Sequence, residues 1–154
     1  MTEASTAERV AGLLVERDLT LGTVECGVGG VVSRRVFETD AGVNVLGDSL
    51  VLDDVEEAIG VMGLPRPQFK QAGGLSAKAA RAAAREGRRF LGVQVCLAVW
   101  AEGRVCEEEQ QTVFVAVDAG RDVIDEAFEV GGGTGHDEGW LADRALDMVL
   151  EALA

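Results

Sequence analysis

The chain has 154 residues, 47% of them hydrophobic, and carries a net charge of −13 at pH 7. That is one domain's length with enough apolar material to bury a core, which excludes a disordered segment, and no apolar run approaches the length of a membrane span. A field of this sign repels DNA, RNA and anionic membranes, so neither a nucleic acid nor a membrane is expected as a partner.

The opening Met1-Thr2-Glu3-Ala4-Ser5 lacks the basic start and apolar middle of a signal peptide, and a cytoplasmic location is the expectation. Ser5-Thr6-Ala7-Glu8 has the form of a capping box, followed by Val10, Leu13 and Leu14 at helical spacing, which predicts a helix over 6–17. Leu19 to Glu25 predicts a strand, Cys26-Gly27-Val28-Gly29-Gly30 a turn, and Val31 to Phe37 a helix. A second strand is expected at 44–52. A short helix over 54–62 is capped by Asp54 and closed by Gly63 and the turn Leu64-Pro65-Arg66-Pro67.

Ser76 caps a strongly helical stretch from Ala77 to Leu91, with Gly92 as the stop. Val93 to Val99 is apolar except for Gln94, the pattern of a central strand covered on both faces. A polar connection, 101–111, precedes strands at Thr112–Val117 and Val123–Val130, joined by an Asp118-Ala119-Gly120 turn. Gly131-Gly132-Gly133-Thr134-Gly135 reads as a flexible loop before a last helix over 138–153. Alternation of this kind predicts a single-domain, three-layer α/β/α sandwich with a mixed β-sheet, 93–99 and 112–117 lying near its centre.

Chemistry is constrained by scarcity. Cys26, Cys96 and Cys106 cannot all pair and match no zinc spacing, and His136 is the only histidine. A Ser-His-Asp triad without His136 and any multi-histidine metal site are excluded; a carboxylate site for magnesium is not. No cofactor is indicated. A thiol at the mouth of a glycine turn near a helix N-terminus would feel a field favouring thiolate, which makes Cys26 the candidate nucleophile. Read structurally, Cys26 is a small half-buried hydrophobe and the glycines merely form the turn. Lys78, Arg81, Arg85 and Arg88 or Arg89 form a basic stripe on one helix face, suited to a solvated surface, an acidic partner or a second subunit.

Thr23, Glu25, Gly29 and Gly30, then Gly73 with Leu75-Ser76, and Arg88-Arg89-Phe90-Leu91-Gly92 together resemble the CinA C-terminal domain, a family that contains the bacterial nicotinamide-nucleotide amidases. The later strands, with Leu97-Ala98-Val99 and Thr112 to Ala116, fit it too. The resemblance runs from about residue 8 to the C-terminus and implies the fold above, a small-molecule ligand and homo-oligomers. It implies Cys26 and Glu25 as catalytic positions, and Gly27, Gly29, Gly30 and Ser76 as ligand-binding ones.

The family's active-site motifs are altered. Its Ala-Glu-Ser-Cys-Thr-Gly-Gly carries a serine nucleophile where this chain has Cys26, followed by Gly27-Val28. Its Tyr-Ser-Asn-Glu-x-Lys, which assists proton transfer, is matched by Leu52-Asp53-Asp54-Val55-Glu56-Glu57, and this chain contains no tyrosine. Its Thr-Gly-Ile-Ala-Gly-Pro-x-Gly-Gly is replaced by Trp100 to Val105, and its Gly-Asp-Arg by Gly135-His136-Asp137. Positioned acid–base groups contribute about 10²–10⁴-fold each, so losing them argues against the family's reaction. Three readings follow: a divergent module without amidase activity that binds or oligomerises, a hydrolase of altered specificity using Cys26 with Glu25 or His136 nearby, and an amidase retained by rearrangement.

Overall fold

A computed structural model describes residues 3–71, 75–105 and 108–154. Gly73 and Cys106, both singled out in the sequence, lie outside the described residues.

The first helix, α1 (Thr6–Arg17), starts as its sequence dictates. The Ser5 hydroxyl accepts from the Glu8 N–H at 3.1 Å, and the Glu8 carboxylate accepts from the Ser5 N–H at 3.2 Å. Strand β1 (Leu21–Cys26) follows, then α2 (Val31–Phe37), a short α3 (Gly42–Val45) and β2 (Leu46–Leu52). Next come α4 (Val55–Met62), α5 (Arg66–Gln71) and α6 (Ala77–Leu91), the last two leading into β3 (Val95–Trp100). Strands β4 (Gln111–Asp118) and β5 (Ile124–Val130) form a hairpin, and α7 (Glu138–Leu153) completes the chain.

The five strands stand in the order β2-β1-β3-β4-β5. β1 runs parallel to both β2 and β3, while β3–β4 and β4–β5 are antiparallel. From β1 the chain steps outward to β2 and then back across β1 to β3. Right-handed crossovers in opposite directions must use opposite faces of a sheet. Accordingly α1, α2, α3 and α7 cover one core, around Leu14, Leu21, Leu97, Leu141 and Leu146, and α4, α5 and α6 cover the other, around Val24, Cys26, Ala58, Phe69 and Trp100. The expected mixed-sheet sandwich is observed, with β3 at the centre and β4 beside it.

Three elements differ from the sequence reading. The strand expected at 44–52 begins only at Leu46, because Gly42–Val45 form the short helix α3. The segment read as a turn through Pro65 and Pro67 forms α5 from Arg66 onward, because proline is tolerated in a helix's first turn and Phe69 is buried against Trp100, ring centres 6.0 Å apart. The glycine loop before α7 contains a turn of 3₁₀ helix at Gly132–Thr134.

Candidate functional site at the C-terminal edge of the parallel strands

In a sheet of this order the crevice between β1 and β3 is the topological switch point, where ligands of open α/β folds bind outside the carboxyl ends of the strands. Cys26 ends β1 and registers with Leu52 on β2 and Trp100 on β3.

Side chains alternate along a strand, so adjacent residues cannot serve one cavity. Thr23 and Glu25 face α2. Both Glu25 carboxylate oxygens are occupied: the Val32 N–H donates at 2.8 Å, the Ser33 N–H at 3.1 Å, and the Thr23 hydroxyl at 2.9 Å. Glu25 is fully buried. The helix N-terminus in which the sequence suggested a thiolate is thus filled by the chain's own acid, whose charge suits the positive end of the helix dipole.

Cys26 points the other way. It is 0% exposed, packed in the core beneath α4, α5 and α6. Burial pushes its thiol up from 9.0 to about 12, and the nearby charges of Asp54, Glu57 and Glu25 push in the same direction. Both influences act against the thiolate that the helix N-terminus suggested. Asp54 and Glu57 belong to the segment that matches the family's tyrosine and lysine, and here they build the start of α4. The Asp54 side chain accepts from the Glu57 N–H at 2.8 Å, and Glu57 accepts from the Asp53 N–H at 3.3 Å. Where the family's segment assists proton transfer, this chain's supplies a cap, as the sequence indicated for Asp54, and two acids, the sign least able to favour a thiolate. Sequence reasoning missed this effect, although the acids were in view.

The crevice itself is closed by residues 101–105. The Val105 N–H donates to the Gly27 carbonyl at 2.8 Å, and the Gly27 N–H donates to the Leu52 carbonyl at 3.0 Å. Gly27 has φ +80°, and a Cβ there would overlap the Gly103 carbonyl oxygen. No side chain fits at 27 while Gly103 lies on it. Gly29 faces open space, and Gly30 caps α2. Ser76 uses its hydroxyl to accept from the Ala79 N–H at 3.1 Å at the start of α6.

His136 is also separated from Cys26. Its ring stacks on Trp140, centres 3.6 Å apart and planes nearly parallel, and Nδ1 lies 3.0 Å from the Glu129 carbonyl oxygen. Val130 and Leu141, which bracket that loop, belong to the opposite core from Cys26. The structure therefore brings Glu25 together with Thr23 and the start of α2, and brings neither Glu25 nor His136 to the thiol.

Two open cavities flank the closed crevice. One of about 600 Å³ is lined by Val105, Gly131, Gly132, His136, Asp137 and Glu138, among others. Another, of about 460 Å³, lies by Leu75, Glu102, Arg104, Glu109 and Thr112. Each exposes two carboxylates. Among the described residues no group of three or more His, Cys, Asp or Glu side chains is arranged to hold a metal ion, and no helix is long and apolar enough to cross a membrane.

The family model of the CinA C-terminal domain matches residues 3–153. A CinA-like protein of Geotalea daltonii is 31% identical over 112 residues, which cover 70% of this chain and 27% of that protein. A CinA-like protein of Flavobacterium psychrophilum is 25% identical over 156 residues, covering 98% of this chain and 36% of that one. The chain thus spans well under half the length of these curated relatives. Among solved structures, a competence or damage-inducible protein from Enterobacter asburiae superposes with a TM-score of 0.82 at 16% identity, covering 99% of this chain and 100% of that chain. A competence/damage inducible protein from Agrobacterium tumefaciens does so with a TM-score of 0.75 at 17% identity, covering both chains completely. By sequence match along nearly its whole length, and with a fold to agree, this chain belongs to the CinA C-terminal domain family.

Proposed function

We propose that this chain is a divergent CinA-type binding module that does not hydrolyse nicotinamide nucleotides and that associates with itself. The observation that carries the proposal is the burial of Cys26, at the position of the family's nucleophile, beside Asp54 and Glu57. A thiol held neutral and out of reach cannot attack an amide, and neither a histidine nor a lysine stands beside it among the described residues. The cavity beside His136, Asp137 and Glu138 offers space for a small neutral or cationic ligand, whereas its two acids oppose a phosphate. A cytoplasmic location, no cofactor, and no nucleic-acid or membrane partner belong to the same reading.

Self-association is supported at the β2 edge of the sheet. The elements α2, α3 and β2 pack on one another there, and each exposes one large apolar side chain, Phe37, Val43 and Val51 respectively. Light scattering at micromolar concentration should give more than a monomer's mass, and a monomer at every salt concentration removes this part of the proposal.

Purified protein incubated with nicotinamide mononucleotide should release no ammonia above background. Turnover that vanishes in Cys26→Ala would restore the altered-hydrolase reading, and turnover that survives this change would point to a rearranged amidase.

A further inference from the structure

At the opposite end of the sheet, where α6 ends and β3 begins, five arginines surround a cavity of about 320 Å³. Arg81, Arg85, Arg88 and Arg89 come from one face of α6, and Arg121 comes from the β4–β5 turn facing them. The sequence reveals the helical stripe; only the fold adds Arg121. Five arginines against two aspartates in one cavity is a concentrated positive charge on a chain whose net charge is −13.

The arrangement is built, not loose. The Arg88 Nε–H donates to the Gln94 carbonyl at 3.0 Å, and its Nη1 lies 3.9 Å from the buried Asp118 carboxylate. Asp118 in turn accepts from the Gly120 N–H at 2.9 Å, which fixes the turn. Gly120 has φ +88°, and a Cβ there would stand 3.1 Å from Arg88 Nη2, so the glycine lets the guanidinium lie over the turn. Arg81 is held by the Val123 carbonyl at 2.6 Å and by Asp125 at 2.7 Å. Arg85 and Arg121 have no ion pair or side-chain hydrogen bond among the described residues, which leaves their donors for something else.

We propose that this cavity binds a small phosphate-bearing polyanion, a di- or triphosphate group held by Arg85 and Arg121 and oriented by Arg88. Guanidinium forks pair with phosphate oxygens two bonds at a time; Arg85 and Arg121 bring unspent donors, and Arg88, already fixed on the Gln94 carbonyl and Asp118, loses little entropy on binding. The volume admits a short phosphate chain but lies at the lower end of small-molecule sites. At physiological ionic strength the screening length is about 8 Å, so the chain's distant acids are muted while contacting arginines are not.

The test is isothermal titration of the full chain with sodium tripolyphosphate at constant ionic strength near 150 mM, repeated with a nucleoside triphosphate and with vesicles containing anionic phospholipid. Saturable tripolyphosphate binding is expected, weakened at least tenfold in the double variant Arg85→Ala/Arg121→Ala. It should be unchanged in the charge-matched control Arg9→Ala/Arg34→Ala, whose arginines lie on α1 and α2 and are exposed. Circular dichroism melts of both variants establish that they are folded. Nucleotide binding lost in the same double variant extends the proposal to nucleotides. Absence of saturable tripolyphosphate binding overturns it, as does equal loss in the control. Binding to vesicles alone, or dissociation of an assembly by the double variant without any anion binding, assigns the arginines to a membrane or a subunit contact and overturns it too.

Discussion

Glu25 and Cys26 are neighbours in one strand and have opposite fates. Glu25 turns toward α2, where three donors satisfy it and the helix end welcomes its charge. Cys26 turns toward α4 and α6, where it meets apolar side chains and two acids. The thiol is enclosed by packed side chains, while the acid beside it ties β1 to the start of α2. An active thiol needs the reverse: access, and positive potential.

Removing that tie should have the largest effect. Glu25→Ala leaves the Val32 and Ser33 N–H groups and the Thr23 hydroxyl unpaired in the interior, each costing about 1–3 kcal/mol, for a loss of about 3–5 kcal/mol after relaxation. Glu25→Gln should lose less, since its carbonyl oxygen still accepts while its NH₂ faces a donor. Urea denaturation of the three proteins measures this directly. A loss under 1 kcal/mol in Glu25→Ala would mean that water enters at α2 and that the site is more open than described.

Gly27 comes next, because it lies between the two fates at the mouth of the closed crevice. Gly27→Ala puts a methyl group against the Gly103 carbonyl and asks alanine to hold φ +80°. The left-handed conformation costs about 1–2 kcal/mol and the overlap adds to it, so a loss of about 2–4 kcal/mol is expected. Retained stability accompanied by new chemical-shift changes confined to 101–105 would show that this segment lifts away readily. In that case the crevice opens, and the binding module acquires its ligand site there.

How much of this was legible depended on whether the information was local. The caps at Ser5 with Glu8, Asp54 and Ser76 each join residues three apart, and the sequence displays them as written; the Asp137 cap of α7 is just as local but reads in the sequence only as a match to the family's Gly-Asp-Arg. The glycine stops at Gly63 and Gly92 are equally local. The parity of β1 is visible too, but which face receives α2 is decided by the crossovers, so the sequence leaves Cys26 open between a half-buried hydrophobe and an activated thiol. Helix α5 was hidden because Pro65 and Pro67 resemble a turn, and Phe69 secures the helix only by reaching Trp100, far along the chain. The collapse of 101–105 onto Gly27 and the approach of Arg121 to the α6 stripe are likewise contacts between distant segments.

The smallest effect concerns Cys26 and separates packing from activation through its sign with pH. Its folded pKa is raised to about 12, above the ordinary value of 9.0. The contribution of such a group is fully present below the unfolded pKa and disappears as pH rises toward the folded one, because only the unfolded thiol can release its proton. Between about pH 9 and 12, therefore, the native state weakens. By pH 10 the loss is about 1–2 kcal/mol per thiol, since each pH unit past the unfolded pKa is worth about 1.4 kcal/mol. Cys96, also buried and also raised to about 12, behaves alike, and tyrosine ionisation cannot contribute because the chain has none. Urea denaturation of the native protein and of Cys26→Ala at pH 7 and pH 10 isolates the one thiol. Cys26→Ala should be about 1 kcal/mol less stable at pH 7, from the small void, yet should lose less stability on going to pH 10. Iodoacetamide should leave Cys26 unmodified in the native protein and label it fully in urea, as peptide mass spectrometry reads. An activated thiolate would give the opposite pattern: rapid native labelling with a midpoint below 8.5, and a stability that does not fall through the alkaline range on its account. Either result would reverse the roles assigned to the two neighbours in β1.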